Sequence, residues 1–253
     1  MIGWLAAVLV ATSVLGAPTV ARPTPQPLAG RVVVLDPGHQ LGNHGYPRQI
    51  ARLVPAGGFR KPCNTTGTST NGGYPEASLT WDVALRVRER LQRLGAVVRL
   101  TRHSNRQDRW GPCVDVRGLA GNTVDGGGSA DLKISIHADG SHARGAHGFH
   151  VIMPADRRPW THDIWRSSRR LALVTRAALV ERGLARATYV AGGDGLDVRR
   201  DLGTLNLSDV PTVMVELGNM RSPVDAARMT RPEGRERYAR GLAGAVRDFL
   251  ERG

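Results

Sequence analysis

The sequence predicts an α/β domain whose sheet is covered by helices on both faces, and three observations carry that expectation. Short β-branched or apolar runs recur at Arg31 to Leu35, Ala96 to Leu100, Asp131 to Ile136, Gly148 to Met153 and Thr212 to Val215. Short apolar runs bounded by turn residues are consistent with strands buried on both sides. Amphipathic helical patterns lie between them, and alternation of the two element types builds such a sheet. Length and composition agree, because 253 residues, 41% hydrophobic and 23% charged, make one domain and leave little room for a second. The 31 glycines and 15 prolines follow no three-residue period, which excludes collagen, and the Val, Leu and Ile content excludes wholesale disorder.

From the N-terminus, Ile2 to Ala17 is almost wholly apolar or small, too short for a comfortable membrane span and suited to a signal-peptide core. Thr19-Val20-Ala21 offers small residues for cleavage, so residues 1–21 read as a signal peptide and the chain as secreted, periplasmic or envelope-associated. No Lys or Arg precedes the apolar run, which leaves an uncleaved anchor as the alternative. Residues 22–30 read as an extended Pro-rich linker, and 31–253 as the folded domain.

The first strand stops at Asp36-Pro37-Gly38, a turn followed by His39. Leu41 to Tyr74 is rich in Gly, Pro, Asn and Thr, a long loop of the kind tied to a site or pinned covalently. A helix is expected from Pro75 or Glu76 to Leu94, because Leu79, Val83, Val87 and Leu91 recur at four-residue intervals and Gly95 ends the pattern. The strand from Ala96 and a short helix over Val114 to Val124 follow, and the third strand ends at His137. Leu171, Val174 and Leu179 mark a helix from about Asp163 to Arg182, stopped by Gly183. The last strand ends at Glu216, and Arg235 to Leu250 forms the closing helix with Tyr238, Leu242, Val246 and Phe249 inward.

Lys and Arg number 35 against 22 acidic residues, for a net charge of +13, and Lys61 and Lys133 are the only lysines. Such a charge suits polyanionic surroundings. An anionic cell envelope explains it, as does a plain solvated basic surface. Nucleic acid is not expected, since the arginines are scattered without interleaved aromatics and no nucleic-acid motif is present. Cys63 and Cys113 are an even count in an exported chain, which favours a disulfide, the alternative being two buried small apolar side chains. A bridge would close a loop of about fifty residues, for which chain entropy gives roughly 4 kcal/mol at most.

His39, His137 and Glu216 all follow strand ends, where ligands gather in open α/β sheets. Catalytic zinc takes three protein ligands from His and carboxylate and keeps a fourth position for water. His39 and His137 supply two imidazoles, and Glu76, in the first helical turn, supplies the carboxylate; Glu216 is then the candidate for taking the water's proton. On position alone, either histidine could instead be a surface residue, and Glu76 could simply favour the helix N-terminus. Glu216 resists a bland role, because a carboxylate directly after Val213-Met214-Val215 is expected to be half buried, and such a group must be paired, metal-linked or protonated. His147 and His150 lie three apart, which on a strand sends them to opposite faces, so they are not read as co-ligands. His44, His103 and His162 are left as surface residues.

Asp36-Pro37-Gly38-His39, Glu76 opening a helix, Ser135-Ile136-His137-Ala138-Asp139, and Pro211 through Glu216-Leu217-Gly218 resemble, in this order, the motifs of zinc-dependent N-acetylmuramoyl-L-alanine amidases. Thr101-Arg102 and Ala130-Asp131-Leu132 strengthen the match, which spans Arg31 to the C-terminus. The resemblance implies a mixed, roughly six-stranded sheet and hydrolysis of the bond between N-acetylmuramic acid and L-alanine of the peptidoglycan stem peptide. It implies one zinc ion held by His39, Glu76 and His137, and Glu216 as the catalytic glutamate. The Cys63 loop with Cys113 resembles compact actinobacterial members. Asp139 stands where the family often has Asn, and Asn219 where an aromatic is common; both bear on substrate preference. Peptidoglycan or a muropeptide is the expected partner, of a monomer. Rival readings are a zinc hydrolase of another amide and a non-catalytic wall-binding regulator.

Overall fold

The structure is a computed structural model, and it describes residues 1–3 and 26–252. Most of the expected signal peptide, and Arg22 to Pro25 of the expected linker, lie outside the described residues. The remainder of that linker departs from the expectation. Leu28 is fully buried in the main core, and its N–H donates to Leu94 O at 2.9 Å. One leucine in a proline-rich stretch is enough to fasten it, since burying it removes its whole side chain from water.

The chain runs through β1 (Val32–Pro37), a 3-10 turn at Leu41–Gly45, α1 (Pro47–Ala51) and a hairpin of β2 (Leu53–Pro55) and β3 (Arg60–Pro62). Then come α2 (Glu76–Arg93), β4 (Val97–Leu100), α3 (Val114–Leu119), β5 (Leu132–Asp139), β6 (His150–Pro154) and α4 (Trp165–Glu181). The last part is β7 (Leu196–Arg199), α5 (Gly203–Asn206), β8 (Thr212–Asn219), α6 (Pro223–Thr230) and α7 (Pro232–Glu251). Six strands form one mixed sheet in the order β4-β1-β5-β8-β6-β7. β4, β1, β5 and β8 are parallel, β6 is antiparallel to β8, and β7 is parallel to β6. The carboxyl ends of β1, β5 and β8 therefore share one edge, and the site lies there.

Successive side chains of a strand point to opposite faces, and β5 divides its residues accordingly. Leu132, Ile134 and Ile136 join α2, α4 and α7 in the main core, through Leu79, Val83, Leu171 and Leu242 among others. Lys133, Ser135 and His137 turn the other way, toward α3. That second face is thin, being covered by α3 and by α5, whose Leu205 packs on Ile152 and Met214. Helices thus cover both faces, as expected, but unequally.

Several elements were not anticipated. The hairpin sits inside the stretch read as a loop, β7 is a four-residue strand at the sheet edge, and α6 was overlooked although Ser222 caps it by accepting from Asp225 N. Strands of three or four residues carry too few positions to display a period, and the eight residues of α6 span little more than two turns. The short helix α3 ends at Leu119, because Ala120 adopts an extended backbone. The expected disulfide between Cys63 and Cys113 is present, and it fastens the hairpin's exit to the start of α3.

Candidate active site

The turn after β1 is built around one steric requirement. A Cβ on Gly38 would lie 2.3 Å from Cε1 of His137, so nothing larger than glycine lets the backbone pass that ring. His39 follows with φ 59, in the left-handed region that a non-glycine residue occupies at a cost. This conformation swings its ring to the sheet edge. Its Nδ1 donates to Thr65 O at 3.0 Å, and its Nε2 lies 3.1 Å from Glu76 Oε1.

Glu76 is buried at the first turn of α2, where Oε1 accepts from Ala138 N at 3.1 Å and Oε2 from Thr68 N at 2.9 Å. His137 Nδ1 lies 2.9 Å from the same Oε1. The three ligand-type atoms of His39, Glu76 and His137 fall within 4.8 Å of one another. Burial pushes the Glu76 carboxyl up, but the neighbouring His39 and His137 imidazoles hold it well below the usual carboxylate range. Burial pulls His137 down, toward the neutral ring that a metal ligand must be. Two imidazoles and an ionised carboxylate crowded on one point are a donor set that fits zinc.

Behind His137 stands a buried ion pair. Arg117 donates from Nε to Asp36 Oδ1 at 2.7 Å and from Nη2 to Oδ2 at 2.9 Å, and the same Nη2 donates to His137 Nε2 at 2.9 Å. With Nε2 accepting, the proton of the neutral ring sits on Nδ1, facing Glu76. Burial pushes the Asp36 carboxyl up, and Arg117, with hydrogen bonds from Ser135 and Thr101, outweighs it and leaves Asp36 ionised far below its ordinary range. Thr101 and Arg102 thereby acquire a role, since Arg102 donates to Pro37 O, Ser104 O and Ala77 O and so binds the turn after β1 to the first turn of α2.

Glu216 is the register partner of His137 on the neighbouring strand. It is partly buried, and its Oε2 is shielded from solvent without a hydrogen-bond partner. Burial, then the negative charges of Glu76 and Asp139, push its carboxyl well above the usual range. His39, His137, Glu216, Arg117, Lys61 and Met214 line one cleft of about 240 Å³. All four predicted site residues therefore meet, two as an adjacent strand pair.

The other histidines divide. His44, His103 and His162 are exposed, and His162 pairs with Asp156. His150, on β6, is buried directly opposite Glu216 on β8 with Nδ1 unpartnered, a position the spacing argument leaves unassigned. Sequence reasoning also missed Arg117, Thr65 and Thr68, because a contact 20 residues from His137 or a backbone carbonyl in a loop leaves no local pattern. Asn219 donates to Ser141 O and Ala146 O, both at 2.9 Å, and so ties down the loop after β5 in place of an aromatic ring.

A sequence profile of the family described as N-acetylmuramoyl-L-alanine amidase matches residues 33–248. The chain belongs to that amidase family. It is 42% identical over 231 residues to the N-acetylmuramoyl-L-alanine amidase Rv3717 of Mycobacterium tuberculosis, covering 91% of this chain and 90% of the relative. Among solved structures, Ami1 of Mycobacterium smegmatis superposes with a TM-score of 0.81 at 39% identity, over 89% of this amidase and 99% of that chain. Apo Ami1 of Mycobacterium abscessus gives 0.79 at 41% identity, over 88% and 100%. The amidase shares its sheet with both.

Proposed function

We propose that the chain hydrolyses the amide bond between the lactyl group of N-acetylmuramic acid and L-alanine of the peptidoglycan stem peptide, with His39, Glu76 and His137 holding one zinc ion and Glu216 moving the proton. The observation that supports it best is Glu216 beside His137 in the strand register, with an unpartnered carboxylate oxygen shielded from water. A bound zinc ion would polarise the scissile carbonyl and bring its water's pKa near neutrality. Thr65 O fixes the tautomer of His39, and Ala138 N and Thr68 N fix the Glu76 carboxylate, so the ligands are oriented in advance. Glu216 takes a proton from the attacking water and returns it to the departing amine. No covalent bond to the chain is needed.

The substrate lies outside the cytoplasm, which agrees with export directed by the apolar segment of residues 2–17. Among the described residues no helix is long and apolar enough to cross a membrane. The test is product analysis on purified muropeptides by mass spectrometry. Free lactyl-muramic acid with an intact stem peptide is expected; cleavage inside the peptide would instead mark a peptidase.

A further inference from the structure

α2 begins in the active site, and its far end, about 25 Å away by helical rise, borders a second concavity. There α2, α4 and α7 enclose a crevice of about 370 Å³ lined by Arg90, Arg93, Arg182, Arg240 and Arg247, with no acidic residue in its wall. The carboxylates nearby do not neutralise it fully. Glu236 is shared by Arg90, Arg240 and Arg86, the last also pairing with Asp82, while Glu89 takes Arg93, and Asp248 and Glu251 take Arg247. Arg182 has no ion-pair partner among the described residues. Burial first, then the positive charges of Arg240, Arg93 and Arg182 against the opposing charge of Glu89, pull Arg90 below its ordinary pKa.

The floor has its own peculiarity. A Cβ on Gly241 would press to 2.8 Å from Leu179 Cδ2, so close packing of α7 on α4 explains that glycine. One turn on, a Cβ on Gly244 would meet nothing within 4 Å. A mid-helix glycine weakens the helix, and no neighbour requires this one. What it does is keep the crevice open.

We propose that this crevice is an anion site for phosphate-type groups carried on a polymer, a phosphodiester chain of the cell envelope, and that it tethers the domain while the cleft works at the other end of α2. Guanidinium forks match such oxyanions bidentately. A bilayer is the poorer match, because the exposed large apolar side chains among the described residues include no aromatic to enter one. The envelope location rests on the function proposed above; the anion site does not.

The experiment is calorimetric titration of the full chain with inorganic phosphate, tripolyphosphate and long-chain polyphosphate, beside sedimentation with phosphatidylglycerol vesicles. The variants are R93Q/R182Q/R247Q, which spares the three arginines on Glu236, and Gly244→Leu, which fills the floor with every charge intact. R48Q/R144Q/R169Q removes equal charge from exposed positions elsewhere. Saturable, salt-dependent binding that strengthens from phosphate to polyphosphate is expected, weakened at least tenfold by either crevice variant and under twofold by the control. Muropeptide hydrolysis by all variants should be unchanged, so a failure here is distinct from a failure of the amidase reading. Equal loss in the control, or no saturable binding, overturns the site. Inorganic phosphate binding as tightly as the polymer, or vesicle binding that depends on the crevice arginines, overturns the polymer as its occupant.

Discussion

The Nδ1 atom of His137 lies 2.9 Å from Glu76 Oε1, joining the third parallel strand to the first turn of α2 across 61 residues of chain. Glu76 is the carboxylate both imidazoles approach. Glu76→Ala should therefore lower bound zinc from about one ion per chain to near none and abolish amide hydrolysis, as measured by metal analysis and product formation. Treatment with a chelator should do the same to the unaltered chain, with activity restored by added zinc.

Glu216→Gln separates chemistry from metal binding. The variant should keep its zinc, since Glu216 is not among the three converging donors. Turnover should fall by roughly 10²- to 10⁴-fold, the usual worth of a positioned acid–base group. Near-normal turnover with full metal content would show that another group moves the proton.

Gly38→Ala places a methyl where the His137 ring stands. Overpacking of this kind costs typically about 1–3 kcal/mol. Thermal melting should drop accordingly, and zinc affinity should fall with it because the displaced ring is one of the three proposed ligands. A variant with unchanged melting and affinity would mean the turn can move aside.

The Cys63–Cys113 bridge closes a separation of 50 residues. Its removal as C63S/C113S should lower unfolding stability by about 2–4 kcal/mol in urea titration. The parallel strands should survive, since the bridge touches only the hairpin and the start of α3.

Lys133 is fully buried, donates to the carbonyls of Arg117 and Gly118, and is pulled down to about 7, chiefly by burial. The unfolded chain, with a lysine pKa of about 10.4, binds more protons than the folded one between those values. Stability therefore rises with pH across that window, by up to about 1.4 kcal/mol per pH unit from this residue. Lys133→Met should flatten the rise in melting temperature from pH 7 to 10. Asp36 acts in the opposite range, contributing stability above about pH 4 that is lost as acid protonates it.

The sequence by itself determined the alternation of buried strands with amphipathic helices, because side-chain period is a local property. It also determined which residues could do the chemistry, since His39, His137 and Glu216 sit at strand ends and strand ends gather at one edge. The tertiary structure decided what distance along the chain conceals. Leu28 closing the core, Arg117 braced between Asp36 and His137, and Thr65 setting the His39 tautomer are long-range contacts with no repeating signal. So is the ring of five arginines around Gly244. Four of them lie on α2 and α7, one just beyond α4, and only helix packing makes them neighbours.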